Sequence, residues 1–228
     1  MTDKISYKFE FESGACFDFE VPTRGWTESA VTAGQVPPDW TRLEVNQCAV
    51  CPLSSSDHKY CPAAVDLSAV AAKFAAVASF TRARITVVVG HRTFISDCDM
   101  NTGLRSLFGL CMALSGCPIA GRMRPLALRH LPFASVEETM TRVVGAYLMK
   151  QYFIAGNGGE PDWELKNLRA LYESLEDVNQ SLMARLRKAS GSDSNLNAML
   201  GFVSFAQLYT AGLDELLEQE KADFLGAL

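Results

Sequence analysis

The stretch from Trp163 to Ala189, WELKNLRALYESLEDVNQSLMARLRKA, sets the fold class of the second half of the chain. Apolar residues recur in it about every 3.5 positions, which is the spacing of one buried face on a long helix. Asp162 precedes the stretch and is a residue type that caps helices. We therefore expect a helix from Trp163 to about Ala189. The recurring residues are Leu165, Leu168, Leu171, Leu175, Val178, Leu182 and Leu186.

Helical patterns continue on both sides of this stretch. Beyond the turn Ser190–Ser192, apolar spacing predicts a last helix from about Asp193 to Glu220. Upstream, Ser135–Glu138 has the pattern of a capping box, which opens a helix. Asn101 or Thr102 is the predicted cap of an earlier helix. Because short connections favour antiparallel neighbours, we expect a helical bundle over residues 101–228.

The first hundred residues have the patterns of strands. Aromatic and charged residues alternate from Ser6 to Val21 around Ser13-Gly14, which predicts a β-hairpin. A second strand pair is predicted around Gly90-His91. Thr41–Val45 fits a short additional strand, and the Pro-rich run Pro22–Trp40 before it fits a loop.

One amphipathic helix is predicted directly after Pro62, between the two strand pairs. The chain is therefore predicted to be an α+β protein. Residues 1–100 form a small antiparallel β part with this helix, and residues 101–228 form the antiparallel helical bundle.

Composition narrows the function classes. With 48% hydrophobic and 21% charged residues among 228, the chain has a globular profile. Its net charge of −5 disfavours nucleic acid and anionic membrane surfaces as partners. The start, Met1–Ile5, lacks the pattern of a signal peptide, and no segment approaches the roughly 20 apolar residues of a membrane span. We expect a cytoplasmic protein.

A cysteine motif is the most distinctive chemistry in the sequence. Cys48, Cys51, His58 and Cys61 have the spacing C-x2-C-x6-H-x2-C, which provides two pairs of ligands separated by a loop. Three thiolates and an imidazole are a known structural zinc ligand set. In a reducing compartment, such spacing favours metal or redox chemistry over disulfides. We therefore predict a zinc site at these four residues.

Three alternatives to this zinc site remain open. Proline follows both Cys51 and Cys61, and Cys-Pro steps also occur among iron–sulfur ligands, so an iron–sulfur cluster is one of them. Its fourth ligand would then be Cys98 or Cys117. A redox-active CxxC is the second, although the thioredoxin setting of strand and helix is missing. Buried thiols without any metal are the third.

A second cluster lies in the Arg- and Pro-rich loop Gly121–Ala134. Arg122, Arg124, Arg129 and His130 are four basic side chains close to the predicted capping box. Arginine binds phosphate and carboxylate well, and a helix N-terminus assists, so we predict an anion site here. The alternative is that the arginines are solvated or paired with glutamate and that His130 is packed structurally.

Motifs of common enzyme families are missing from the sequence. It has no Walker A loop, no G-x-G-x-x-G, no G-x-S-x-G and no H-E-x-x-H. The Glu-x-x-His pattern of di-iron helical bundles is also absent. No catalytic residues are assigned from the sequence.

Several short motifs make the chain resemble a bacterial family of unknown function, from about Trp40 onward. The resemblance implies a bacterial origin and a single evolutionary unit. Because that family has no assigned activity, it implies no catalytic residues. The motifs are Asn46-Gln47-Cys48, Cys51-Pro52-Leu53, Cys61-Pro62, Ser115-Gly116-Cys117-Pro118, His130-Leu131-Pro132-Phe133, Tyr147-Leu148, Gln151-Tyr152-Phe153 and Asp162-Trp163-Glu164-Leu165.

Together these patterns favour a non-catalytic binding or interaction protein with a structural zinc site. Its helical bundle is predicted to contact a protein partner or a second copy of the chain. One alternative is an iron–sulfur or thiol redox enzyme with a pocket near Arg129 and His130. The other is a metal-free helical interaction module.

Overall fold

The computed structural model describes residues 3–23, 36–189 and 193–226 and has the α+β fold that the sequence predicts. Within these ranges, four strands form one antiparallel sheet in the order β2-β1-β3-β4. The strands are β1 (Lys4–Phe11), β2 (Cys16–Pro22), β3 (Arg82–Val89) and β4 (Arg92–Asp99). The helices are α1 (Pro62–Lys73), α2 (Met100–Leu114), α3 (Arg124–Ala127), α4 (Val136–Gly156), α5 (Lys166–Ala189) and α6 (Asp193–Gly226).

Both predicted hairpins are confirmed. In the first, Tyr7 lies opposite Phe19, and Gly14 takes a φ of 83° in the turn, a conformation that glycine adopts without strain. The second hairpin, β3–β4, turns at Gly90. The central strands β1 and β3 bury alternate side chains on one face, as period-two patterning requires. These buried side chains are Ile5, Tyr7, Phe9, Ala83, Ile85 and Val87.

Helix α2 crosses the buried face of the sheet. Gly103 is the point of closest approach, where Ile85 and Phe9 occupy the space that a side chain would need. An aromatic cluster forms beside it, with the Phe74 ring 5.0 Å from that of Phe9 and 5.5 Å from that of Phe19. The sheet and the helices thus share one continuous core, whose buried residues extend along the chain from Ile5 to Leu213.

The long helices α5 and α6 pack antiparallel, as predicted. Asn179 near the end of α5 contacts Phe202 near the start of α6, with Asn179 Nδ2 donating to the Phe202 carbonyl at 3.2 Å. At the opposite end the rings of Tyr172 and Tyr209 stack with centroids 3.8 Å apart. Helix α6 also packs on α2, so α2 lies between the sheet and the helical pair.

Two helix starts differ from the sequence-based expectation. The cap of α2 is Asp99, whose carboxylate accepts the Thr102 amide at 2.8 Å, so the helix begins before the predicted caps. Helix α5 begins at Lys166 because Leu165 takes a φ of 60°, which interrupts the helix. The capping box of Ser135 and Glu138 is present at the start of α4, as predicted.

One strand prediction and one loop prediction were wrong. Thr41–Val45 is not a strand of the sheet: a 3-10 helix covers Asp39–Thr41, and Arg42 makes only an isolated bridge to Tyr60. The region 121–134 is also not a plain loop, since it contains part of a 3-10 helix, Ala120–Met123, and the short helix α3. The predictions for residues 24–35 and 190–192 lie outside the described residues.

Among the described helices, α6 alone is long and apolar enough to cross a membrane by length and composition. Its most apolar stretch has a mean hydropathy of 1.2 and is 33% buried inside the protein. Core helices pass the same criterion, so a single helix of this kind is weak support for a membrane span. Here Ala198, Met199 and Tyr209 of α6 are fully buried in the helical pair.

The contact at Gly103 predicts a stability change. A Cβ at this position would lie 2.0 Å from Ile85 Cδ1 and 3.0 Å from Phe9 Cε1. We expect Gly103→Ala to lower the free energy of unfolding by roughly 1 kcal/mol, because overpacking outweighs the gain in helix propensity. Urea denaturation measures the change.

The matched control is Gly145→Ala in α4. Gly145 is exposed, and an added Cβ would meet no described atom within 4 Å. This variant should therefore gain up to about 1 kcal/mol from helix propensity alone. Equal effects at the two positions would contradict the close packing of α2 on the sheet.

Candidate functional site

The segment that carries the cysteine motif lies between the 3-10 helix Asp39–Thr41 and α1, and it has little regular secondary structure. Few hydrogen bonds hold it. The Cys51 amide donates to the Cys48 carbonyl at 3.1 Å, and Gln47 Nε2 donates to the Leu53 carbonyl at 2.8 Å. Bonds to α5 include those from the Val50 amide to Asp177 Oδ2 at 3.0 Å and from Lys188 Nζ to Asn46 Oδ1 at 3.4 Å. The segment therefore depends on long-range contacts for its position.

Cys61 ends this segment and is the N-cap residue of α1, with Pro62 in the first turn as predicted. Its amide donates to the Thr41 carbonyl at 2.8 Å, which fixes the entry to the helix. Burial raises the pKa of the Cys61 thiol, while Arg185 and a hydrogen bond from the Ala64 amide act in the opposite direction. The sulfur thus faces a cation and a backbone donor.

Cys117 joins the motif from a distant part of the chain. It follows the end of α2 and is buried. The adjacent Gly116 lies against Pro62, since a Cβ on Gly116 would be 3.4 Å from Pro62 Cβ. Burial raises the pKa of the Cys117 thiol, and hydrogen bonds from the Ala120 and Ile119 amides oppose this rise.

These residues form what we call the thiol cluster, Cys48, Cys51, Cys61 and Cys117. Burial raises the pKa of Cys48 to about 12, and electrostatic interaction with the other three thiols adds to the rise. Cys51 likewise interacts with Cys61 and Cys117. The fold therefore brings together thiols from the irregular segment, from the start of α1 and from the turn after α2.

Arg185 of α5 lies beside the thiol cluster and is only 2% exposed. Its guanidinium donates to the carbonyls of Trp40, Arg42 and Leu43 at 3.0, 2.6 and 2.9 Å. In the described parts of the chain no carboxylate forms an ion pair with it. Burial lowers the Arg185 pKa, and Cys61, Cys48 and Cys51 act to raise it. The thiols are thus the nearby groups able to balance this charge.

The donor chemistry of the thiol cluster suits a thiophilic metal, because zinc and iron–sulfur clusters both take four thiolates. As the side chains stand, however, no three His, Cys, Asp or Glu residues in the described ranges form a group that could hold a metal ion. Metal binding would therefore require the four thiol groups to come closer together than they stand.

The predicted ligand His58 has only local contacts in the described structure. It lies half-buried in a turn, where its amide donates to the Ser54 carbonyl at 2.9 Å. Cys98, the other distant cysteine considered, is on β4, and its electrostatic neighbours are Asp99, Arg82 and Asp97. Of the two distant cysteines, Cys117 is the one that lies with Cys48, Cys51 and Cys61.

The four basic residues of the predicted anion site have contacts in different directions. Arg124 donates to the Thr23 carbonyl at 2.6 Å, and Arg122 lies close enough to Tyr147 to affect its pKa. Arg129 is exposed. His130 is drawn into the core, where Tyr7 Oη lies 2.5 Å from its Nε2. The four basic side chains therefore do not converge on one point, and the anion site stays a prediction.

A large cavity lies near His130. It has a volume of about 680 Å³ and is enclosed by α2, α5, α6 and the region between α3 and α4; we call it the helical cavity. His130 lines it, but Arg129 is not among the described lining residues, and neither is any cysteine. The thiol cluster and the helical cavity are therefore separate features.

Two members of the site could not be assigned from the sequence. Cys117 was one of two candidates for a fourth thiolate, and its Cys-Pro step was the only signal for it. Arg185 was missed, because an arginine beside the leucine repeat is usually exposed and its position gives no signal of burial.

The environment of His130 predicts a pH dependence of stability. Burial, followed by the charge of Arg142, lowers its pKa to about 3, so the folded protein holds the imidazole neutral. An unfolded histidine has a pKa of about 6.5 and takes up a proton below that pH. Stability should therefore be complete above about pH 6.5 and fall by roughly 2 kcal/mol toward pH 4.5.

His130→Gln should reduce this fall when urea unfolding is measured at several pH values. The matched control is His91→Gln, because His91 is exposed in the β3–β4 turn. If the His130 and His91 variants have the same pH profile, His130 is not held neutral by the fold.

Comparison with known proteins gives the chain a family and no activity. No curated protein and no solved structure matches it. The matching family model is described only as a domain of unknown function and covers residues 5–225, which supports the expectation of an uncharacterised family. The chain therefore belongs to the family of the domain of unknown function DUF6901.

Proposed function

We propose that the protein is a non-catalytic binding protein whose thiol cluster holds a structural metal ion, with zinc as the first candidate. The observation that carries this proposal is the proximity of Cys48, Cys51, Cys61 and Cys117 to a buried arginine that has no carboxylate partner among the described residues. The proposal replaces His58 by Cys117 as the fourth ligand.

The charge of Arg185 supports an anionic centre. A buried cation without a counter-ion costs several kcal/mol, and hydrogen bonds to neutral carbonyls offset only part of that cost. A divalent ion with four thiolates carries a net charge of about −2. Such a centre would balance Arg185 at the position where the thiols lie.

Backbone donors support the same assignment. Burial raises the pKa of the Cys61 and Cys117 thiols, and the amides of Ala64, Ile119 and Ala120 act against that rise. Hydrogen bonds to the charged form of a group favour that form, so these donors stabilise thiolates. Metal binding requires thiolates, and both cysteines therefore have surroundings suited to ligands.

The proposed role is to fix the irregular segment. Chain stretches of this length without secondary structure are uncommon in compact domains unless they are functional. A four-thiolate zinc centre has no open position for a substrate, so it would act as a cross-link. It would join the segment to α1 and to the turn after α2, leaving the bundle to contact a protein partner or a second copy.

An iron–sulfur cluster is the second candidate. Cys51, Cys61 and Cys117 are each followed by proline, and such steps occur in iron–sulfur ligand runs. The same four thiolates would serve either group. A metal-free interaction module is the third possibility. It would leave Arg185 with hydrogen bonds to carbonyls but without a counter-ion among the described residues.

Elemental analysis tests the proposal. Protein purified without chelators under anaerobic conditions should contain stoichiometric zinc, and Cys48→Ser and Cys117→Ser should lose most of it because each removes a ligand. Cys98→Ser is the matched control, since Cys98 is half-buried but lies on β4, and it should keep the metal. His58→Ala should also keep it.

Each alternative gives a different result in this experiment. Iron with acid-labile sulfide and a brown colour would identify the iron–sulfur cluster. Loss of metal in His58→Ala but not in Cys117→Ser would restore His58 as the ligand. Colourless wild-type protein with four free thiols in the cluster and no metal would contradict the proposal.

The charge of Arg185 predicts how metal release depends on pH. Metal leaves as pH falls because protons compete for the thiolates. Arg185→Met removes the cation beside them, so half-release of zinc, followed with a colorimetric chelator, should shift upward by about 0.5 pH unit or more.

Arg185→Lys separates the charge from the hydrogen bonds. It keeps the cation but loses the planar fork, so it should lower thermal stability while leaving the release pH near that of the wild type. Arg187→Met is the surface control, since Arg187 is exposed on the same helix. Equal release curves for Arg185→Met and Arg187→Met would remove the electrostatic argument.

A further inference from the structure

The helical cavity has the size and lining of a small-molecule site. Its volume of about 680 Å³ lies within the roughly 300–1,000 Å³ range of ligand pockets. Apolar side chains of three helices form much of its wall, including Leu110 of α2, Leu175 of α5 and Phe205 of α6. A ligand with an apolar body would therefore be favoured in it.

Two buried polar atoms in this wall have no partner among the described residues. Tyr172 is 2% exposed and Asn179 is 4% exposed, and both line the cavity. The Tyr172 hydroxyl and Asn179 Oδ1 have no hydrogen bond. Both atoms have almost no accessible surface, so the polar contacts of a ligand must come from other lining residues. The two residues are two turns apart on α5, which corresponds to roughly 10 Å along the cavity.

An unpaired cation lines the same cavity. Arg105 of α2 is exposed and makes no hydrogen bond or ion pair in the described parts of the chain. Its stem lies over α6, since a Cβ on Gly201 would be 2.8 Å from Arg105 Cδ. Asn179 is at the same end, because it bonds to Phe202. This end of the cavity thus has a guanidinium without a partner among the described residues.

The charge around the cavity is opposite to that of the whole protein. Its described lining contains two arginines, Arg105 and Arg142, and one carboxylate, Glu137. Arg142 is engaged with the carbonyls of Leu126 and Arg129, at 3.2 and 2.8 Å, whereas Arg105 is free to pair. A chain with a net charge of −5 therefore presents a locally positive apolar cavity. That combination selects for an apolar anion.

We propose that the helical cavity binds an amphipathic organic acid of the fatty-acid type. Its carboxylate pairs with Arg105, and its apolar chain extends along the cavity toward α5. The planar guanidinium suits a carboxylate because it can donate two parallel hydrogen bonds. This binding site is independent of the metal centre, because no cysteine is among the described residues that line it.

Titration calorimetry tests the proposal with dodecanoate at concentrations at which it does not form micelles. Dodecyltrimethylammonium is the matched probe, since it has the same chain and the opposite charge. We expect saturable binding of dodecanoate and at least about tenfold weaker binding of the cation. Arg105→Gln should weaken dodecanoate about tenfold, because a charge-assisted hydrogen bond is lost. Arg92→Gln, an exposed arginine on β4, should leave the affinity unchanged.

A second variant locates the ligand within the cavity. Ser204 of α6 is an exposed lining residue, so Ser204→Trp should fill the opening and reduce binding without disturbing the core. Circular dichroism verifies that each variant is folded. Absence of dodecanoate binding, equal affinity for the two probes, or binding that neither Arg105→Gln nor Ser204→Trp alters would overturn the proposal.

Discussion

Three backbone carbonyls in the segment before the cysteine motif need partners, and the Arg185 guanidinium supplies all of them. Trp40 lies in a 3-10 helix, and Arg42 and Leu43 follow it outside the sheet, so no sheet ladder satisfies these three carbonyls. Since buried carbonyls are rarely left unpaired, this fork fixes the segment against α5. The position of Cys48 and Cys51, and the entry to α1 at Cys61, depend on that attachment.

Arg185 also connects two parts of the molecule whose energetics would otherwise be independent. Helix α5 packs along α6 through its leucine face, while Arg185 projects from it toward the thiol cluster. A change of charge at the thiols therefore changes the electrostatic energy of Arg185, a residue of the bundle. The helical cavity is also lined by α5 and contains Arg105, which has no partner among the described residues, so the two candidate sites share α5 and differ in chemistry.

Local patterns were enough to predict most elements of the fold. Alternation gave both hairpins, and the capping box at Ser135 placed the start of α4, because these features involve residues close in sequence. The start of α5 was misplaced because the backbone turn at Leu165 leaves no mark on the apolar spacing. Local spacing predicted Cys48, Cys51 and Cys61 of the thiol cluster as members of one site. Cys117 and Arg185 enter through contacts between distant segments, which spacing cannot encode.

Tyr7 shows what this arrangement means for a chain that is still being synthesised. Its hydroxyl contacts Ser106 and His130, which lie 99 and 123 residues further along. The first hairpin must therefore wait for α2 and the following loop before its central strand is buried, and contacts of such long range slow folding. Until then β1 exposes an unpaired edge that β3 later covers. The strand made first is thus among the last to be secured, and a nascent chain at this stage is open to pairing with another copy.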